Sequence, residues 1–169
     1  MTQTCFDTAT TTAAQRVAHA IEGAASPAAQ HVFTQLYADV ARATAQRCDA
    51  QAQAGRSLGA LHGVCITLKD NIDVTGETTM AGGVVCAGEA PAMHDAPVVQ
   101  RLRDAGAVVL GKTNMSEFAF SGMGINPHHG TPDNPADTAH ARLPGGSSSG
   151  AAVSVALGLA EVGIGTDTG

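Results

Sequence analysis

Pro144–Gly169 reads PGGSSSGAAVSVALGLAEVGIGTDTG, and the reading of this stretch decides the fold. It opens with two glycines and three serines, then runs into Ala151–Leu159, a segment apolar nearly all round and therefore expected to be a buried helix. Val162-Gly163-Ile164-Gly165 follows as a short strand that returns to a second small-residue turn, Thr166-Asp167-Thr168-Gly169. Serines at the start of a helix sit beside free N–H groups at the positive end of its dipole. One serine there reads most simply as a cap. Glycines on both sides of the run allow unusual backbone angles and close approach, so the turn has the composition of a built site.

Upstream, Val64-Cys65-Ile66-Thr67-Leu68 is a nearly continuous apolar run, as expected of a strand covered on both faces. It ends abruptly in Lys69-Asp70-Asn71, at the strand end where open α/β sheets bind ligands. A glycine-rich loop, Thr75–Gly88, comes next. Asp95 is placed to cap a helix with Pro97 in its first turn, an apolar face of Val98, Val99, Leu102 and Ala105, and Gly106 as its stop. Ala107-Val108-Val109-Leu110 is then a short buried strand, and Asn114 with Glu117 makes a capping pair for a further short helix. Strand, helix and strand in succession predict an α/β sheet.

The first fifty-odd residues read as helical. Ala13–Glu22 is a short helix ended by Gly23. A second, from about Ala28 to Ala54, places Val32, Leu36, Val40 and Ala43 at helical spacing. Nothing in this part suggests chemistry. Gly122–Pro144 holds four of the seven prolines and little regular pattern, and so long a loop in a compact domain is more often functional than decorative.

Composition removes several function classes. With 9 Lys+Arg against 15 Asp+Glu the net charge is −6, which argues against a nucleic-acid or anionic-membrane partner. The four cysteines (Cys5, Cys48, Cys65, Cys86) show no CxxC spacing, so a zinc site is not expected, and they read as reduced thiols of a cytoplasmic protein. The N-terminus, MTQTCFDTATTT, lacks the basic and apolar regions of a secretory signal.

One motif match and one histidine pair are set aside. GAVVLGKT at Gly106–Thr113 satisfies GxxxxGK[ST], but its middle residues fit a buried strand and a helix precedes it, whereas a phosphate loop follows a strand. His128-His129 is the one histidine cluster, and a GxSxG elbow for a Ser-His-Asp triad is absent.

PGGSSSGAAVSVALG followed by GIGTDTG resembles the signature of the amidase signature family of serine hydrolases. LHGVCITLKDNIDV resembles the segment carrying that family's catalytic lysine, and RLRDAGAVVLGKTNMSEF its intervening helix–strand–helix. The resemblance implies a mixed β-sheet core covered by helices, an α/β fold of which the N-terminal part is present. It divides the chain into a helical flank, residues 1–58, and the first part of the signature domain, residues 59–169. By resemblance Lys69 corresponds to the catalytic lysine and Ser147 to the bridging serine, held at a cis peptide bond. Thr168 and Gly169 correspond to contributors of oxyanion-hole N–H groups, and Ala119–Asn126 lines part of the acyl pocket. The nucleophilic serine would be the second residue after Gly169. Ser149 departs from the family pattern, which has glycine there.

The implied function is hydrolysis of a carboxylic amide through a Ser-cisSer-Lys relay and an acyl-enzyme, with no metal or organic cofactor. The residues up to Gly169 are expected to be inactive by themselves. The favoured expectation is a free amidase acting on a small-molecule amide, with a homodimer open to it. The alternative is the glutaminase subunit of a tRNA-dependent amidotransferase, working with partner subunits and passing ammonia onward. A third is a non-catalytic fragment acting as a binding module. In none does the chain itself bind nucleic acid or membrane.

Overall fold

A computed structural model describes residues 11–167. The expectations placed on Met1–Thr10, on Cys5 and on Thr168 and Gly169 lie outside these residues. Helices α1 (Ala13–Ala24), α2 (Ala38–Gln53), α3 (Pro97–Asp104) and α4 (Ser149–Ala156) surround strands β1 (Phe33–Leu36), β2 (Cys65–Lys69), β3 (Val108–Thr113) and β4 (Val162–Ile164). The strands form one mixed sheet in the order β1-β3-β2-β4, in which β2 runs parallel to both β3 and β4 while β1 is antiparallel to β3. This is the expected α/β class.

Strand β2 is the centre of the assembly because every residue in it is buried. Its alternating side chains serve two faces. Ile66 and Leu68 pack with Val99 of α3, Val109, Ile72 and Val74. Cys65 points the other way, into a layer of small side chains from α1 and α2 that includes Ala13, Val17, Ala41, Ala45 and Cys48. Alanine-rich helices suit this layer, since small side chains let a helix approach the sheet closely. Buried Arg16 ties α1 to the far strand through Glu161 (3.0 Å) and to the Gly63 carbonyl (2.7 Å).

The N-terminal part departs most from expectation. The helix predicted over 28–54 is broken into a 3₁₀ turn at Pro27–Ala29, then β1, then α2. His31 interrupts it with φ 66°. The segment then offers Val32-Phe33-Thr34, whose β-branched and aromatic character suits a strand, and β3 presents an edge for it to pair with. Tertiary pairing overrides the helical spacing: Val40 is 64% exposed, and the buried face of α2 is Ala41, Ala45 and Cys48.

Smaller departures have local causes. Helix α1 carries a Thr12–Gln15 capping box and runs through Gly23 to Ala24. Asp95 does not cap α3; its carboxylate accepts from the Thr75 N–H at 2.8 Å and pairs with Arg103. Asn114 does not cap a helix either. Its side-chain amide donates to the carbonyls of His31 (2.9 Å) and Gly130 (2.8 Å), stitching the long loop to the edge of the sheet. Strand β3 continues past Leu110 to Thr113, so Lys112 of the rejected phosphate-loop match lies within a strand and is 1% exposed. Among the described residues no helix is long and apolar enough to cross a membrane.

Helix α4 enters between β3 and the Val32 segment, and Gly150 sets the separation. A Cβ there would lie 2.4 Å from Val32 O and 2.6 Å from Asn114 N, both backbone atoms, while the Gly150 N–H bonds to Asn114 O at 2.9 Å. Gly150→Ala is expected to destabilise the fold by roughly 1–3 kcal/mol, the usual cost of overpacking. Urea denaturation with an unchanged m-value checks it.

Candidate active site

The carboxyl end of β2, the serine turn before α4 and the turn after β4 converge. Lys69, the last residue of β2, is fully buried. Its ammonium nitrogen donates to Ser147 Oγ (2.7 Å), Thr166 Oγ1 (2.8 Å) and Thr166 O (3.0 Å). Burial pushes the amine below the ordinary lysine range, and the negative charge of Asp167 opposes this. The position follows from the fold: parallel pairing of Leu68 with Ile164 brings the end of β4, and with it Thr166, beside the end of β2.

Ser147 is held from its backbone. The Gly146–Ser147 peptide is cis, and the Ser147 carbonyl accepts from the Ser116 N–H at 3.0 Å. Gly146 packs directly on the backbone of Gly124, with 2.7 Å between a built Cβ and Gly124 Cα, so no side chain fits at that junction. Ser148 precedes α4 without capping it; its hydroxyl lies 3.4 Å from both the N–H and the carbonyl of Thr166. Ser149, in the place where glycine was expected, is fully buried as the first residue of α4, with Oγ 3.4 Å from the Asn114 carbonyl. The departure is therefore accommodated inside the fold.

Of the four residues singled out in the sequence, the structure brings Lys69 and Ser147 together, and Thr168 and Gly169 lie outside the described residues. Two neighbours were missed. Thr166 supplies two of the three oxygens around the amine, and Asn71 Nδ2 donates to Thr166 Oγ1 at 3.0 Å. Their signal was present in the polar triplet at the end of β2 and in the GTDTG turn, but no periodicity links residues 95 positions apart. Asp70, on the opposite face to Lys69, accepts from Thr34 Oγ1 (3.0 Å) and from the Gly82 N–H (2.8 Å), so it anchors the glycine-rich loop. The segment Phe118–Ile125 leaves the end of β3 beside Ser116 and exposes Phe118, Phe120, Met123 and Ile125.

A second buried lysine lies across the sheet. Lys112 pairs in register with Leu68 and shares its face, opposite to Lys69. Its Nζ is buried without a hydrogen-bond partner; burial lowers its pKa, and Asp70, Glu77 and Asp73 oppose the shift. This amine does not reach the serine turn, and among the described residues no group of three or more His, Cys, Asp or Glu is arranged to hold a metal ion.

Comparison with known proteins gives the chain a family. Residues 15–169 match the Amidase family profile, so the chain belongs to that family. A glutamyl-tRNA(Gln) amidotransferase subunit from Acidothermus cellulolyticus is 45% identical over 152 residues, covering 90% of this chain and 30% of that protein. Among solved structures, the peptide amidase PAM in complex with the competitive inhibitor chymostatin superposes with a TM-score of 0.80 at 39% identity, over 93% of this chain and 33% of that one. A protein from a vestigial complex tied to the origins of an s-triazine catabolic enzyme superposes with a TM-score of 0.82 at 36% identity, covering 89% and 33%. The chain thus spans about a third of the length of these relatives.

Lowered lysine pKa values carry a sign for stability. Between its folded-state pKa and the ordinary value of about 10.4, a buried lysine binds fewer protons folded than unfolded, so stability rises with pH across that window. Lys69→Met and Lys112→Met are each expected to remove part of this rise. Urea unfolding across the alkaline range measures it.

Proposed function

We propose that the chain forms the opening part of an amide-hydrolysing enzyme of the amidase signature type, with Lys69 as general base and Ser147 as bridging proton carrier. The observation that carries this reading is the 2.7 Å contact between the buried Lys69 amine and the Ser147 hydroxyl. A lysine in water is a poor base at neutral pH, and desolvation favours its neutral form. A neutral Lys69 takes the proton of Ser147 as Ser147 takes one from the nucleophile, which the family pattern puts two residues past Gly169. The nucleophile attacks the amide carbonyl, and the N–H groups at Thr168 and Gly169 hold the oxyanion, a contribution of about 3–4 kcal/mol per donor. The relay then delivers the proton to the leaving amine, and water resolves the acyl-enzyme.

Within this reading, residues 1–58 are the flank and 59–169 the start of the catalytic domain, and the protein is cytoplasmic. The relatives favour the amidotransferase reading over the free amidase expected from sequence, because the curated proteins it resembles carry that name. We therefore assign glutamine as the amide donor and partner subunits as the destination of the ammonia. The test is ammonia release by the polypeptide extended through the nucleophile. Glutamine turnover is expected, with Lys69→Ala or Ser147→Ala lowering kcat by about 10²–10⁴-fold. Turnover of peptide amides but not glutamine would restore the free amidase, and turnover unaffected by either substitution would remove the relay.

A further inference from the structure

Asn71 stands outside the lysine–serine pair yet shares one of its acceptors. Its Nδ2 donates to Thr166 Oγ1 at 3.0 Å, the oxygen that also accepts from Lys69 Nζ at 2.8 Å. Among the described residues this is the one hydrogen bond of the Asn71 side chain, and its other polar atom, Oδ1, is buried with no partner. A buried acceptor without a donor is costly, and native folds keep such groups where something other than stability requires them. The chain puts Asn71 there through a tight turn, in which the Lys69 carbonyl accepts from the Ile72 N–H at 3.0 Å.

A hydroxyl oxygen has two acceptor positions and one hydrogen. With Asn71 and Lys69 both donating to it, Thr166 Oγ1 has both positions filled and its hydrogen points away from the amine. Lys69 then faces, on the Thr166 side, a hydroxyl oxygen fixed as acceptor and a carbonyl oxygen that can only accept. A neutral amine has two hydrogens, and both are taken by these oxygens. The remaining tetrahedral direction, its lone pair, points along the 2.7 Å contact to Ser147 Oγ.

We propose that Asn71 is a positioning residue that fixes Thr166 as a hydrogen-bond acceptor and so aims the Lys69 lone pair at Ser147. The proposal rests on the reading of Lys69 and Ser147 as a proton relay. Without Asn71 the Thr166 hydroxyl is free to turn and donate to the amine, and the lone pair is diverted from Ser147.

The test compares Asn71→Ala in the native and Thr166→Val backgrounds. In the amide-hydrolysing polypeptide, Asn71→Ala is expected to lower kcat about ten-fold or more with KM within about two-fold, and to add nothing once Thr166→Val is present. An equal loss in both backgrounds, or a loss carried by KM, overturns the proposal. A second readout needs no activity. In this chain Asn71→Ala is expected to move the alkaline rise in stability due to Lys69 to lower pH, because the neutral amine gains a donor, and Thr166→Val is expected to abolish that displacement. An unmoved rise overturns the proposal even where turnover is intact. Absence of turnover in the unsubstituted polypeptide overturns the amide-hydrolase reading instead and leaves the stability readout to decide Asn71. If Asn71→Ala does not fold, Asn71→Leu replaces it: it keeps the size of the side chain and removes the donor, so kcat falls and the rise moves to lower pH as for alanine. Unchanged kcat and an unmoved rise in Asn71→Leu overturn the proposal.

Discussion

A primary amine fully removed from water at the end of a buried strand is the constraint on which the site depends. Desolvation disfavours the ammonium, and the three oxygens around it, Ser147 Oγ, Thr166 Oγ1 and Thr166 O, compensate in either protonation state. Three donors meet three acceptors when the amine is charged. Two donors and one lone pair meet the same oxygens when it is neutral, provided the Ser147 hydroxyl reverses direction. A site satisfied in both states can exchange a proton with no change beyond the turning of one hydroxyl hydrogen, which is what a relay needs.

The rest of the fold serves to keep those oxygens in place. Parallel pairing of β2 with β4 fixes Thr166, and the junction of Gly146 on Gly124 with the Ser116–Ser147 backbone bond fixes the serine turn. Gly150 lets α4 lie on the Val32 and Asn114 backbones. Glycines here are contact residues. Their absent side chains let the serine turn and α4 lie directly on neighbouring backbone.

Much of this was legible in the sequence, and the boundary has a physical reason. The continuous apolar run ending at Lys69 showed a buried strand with polar chemistry at its carboxyl end, and the serine–glycine stretch showed a built turn before a buried helix. Strand β1 was not legible, because Val32, Leu36 and Val40 happen to fall at helical spacing while the strand depends on pairing with β3, far along the chain. Asn71 and Thr166 were also hidden. Each is an ordinary polar residue at an element's end, and only the alignment of β2 with β4 makes them neighbours. Lys112 gave a misleading motif whose true setting, the middle of a buried sheet face, the flanking valines had already indicated.

The most direct measurement on the central claim is the titration of the Lys69 amine itself, followed by NMR of side-chain-labelled lysine with the resonance assigned by its loss in Lys69→Arg. The midpoint is expected below the ordinary value of about 10.4, and displaced in Ser147→Ala, which removes one of the three partners. An amine that titrates at the ordinary lysine value and does not respond to Ser147→Ala would contradict it.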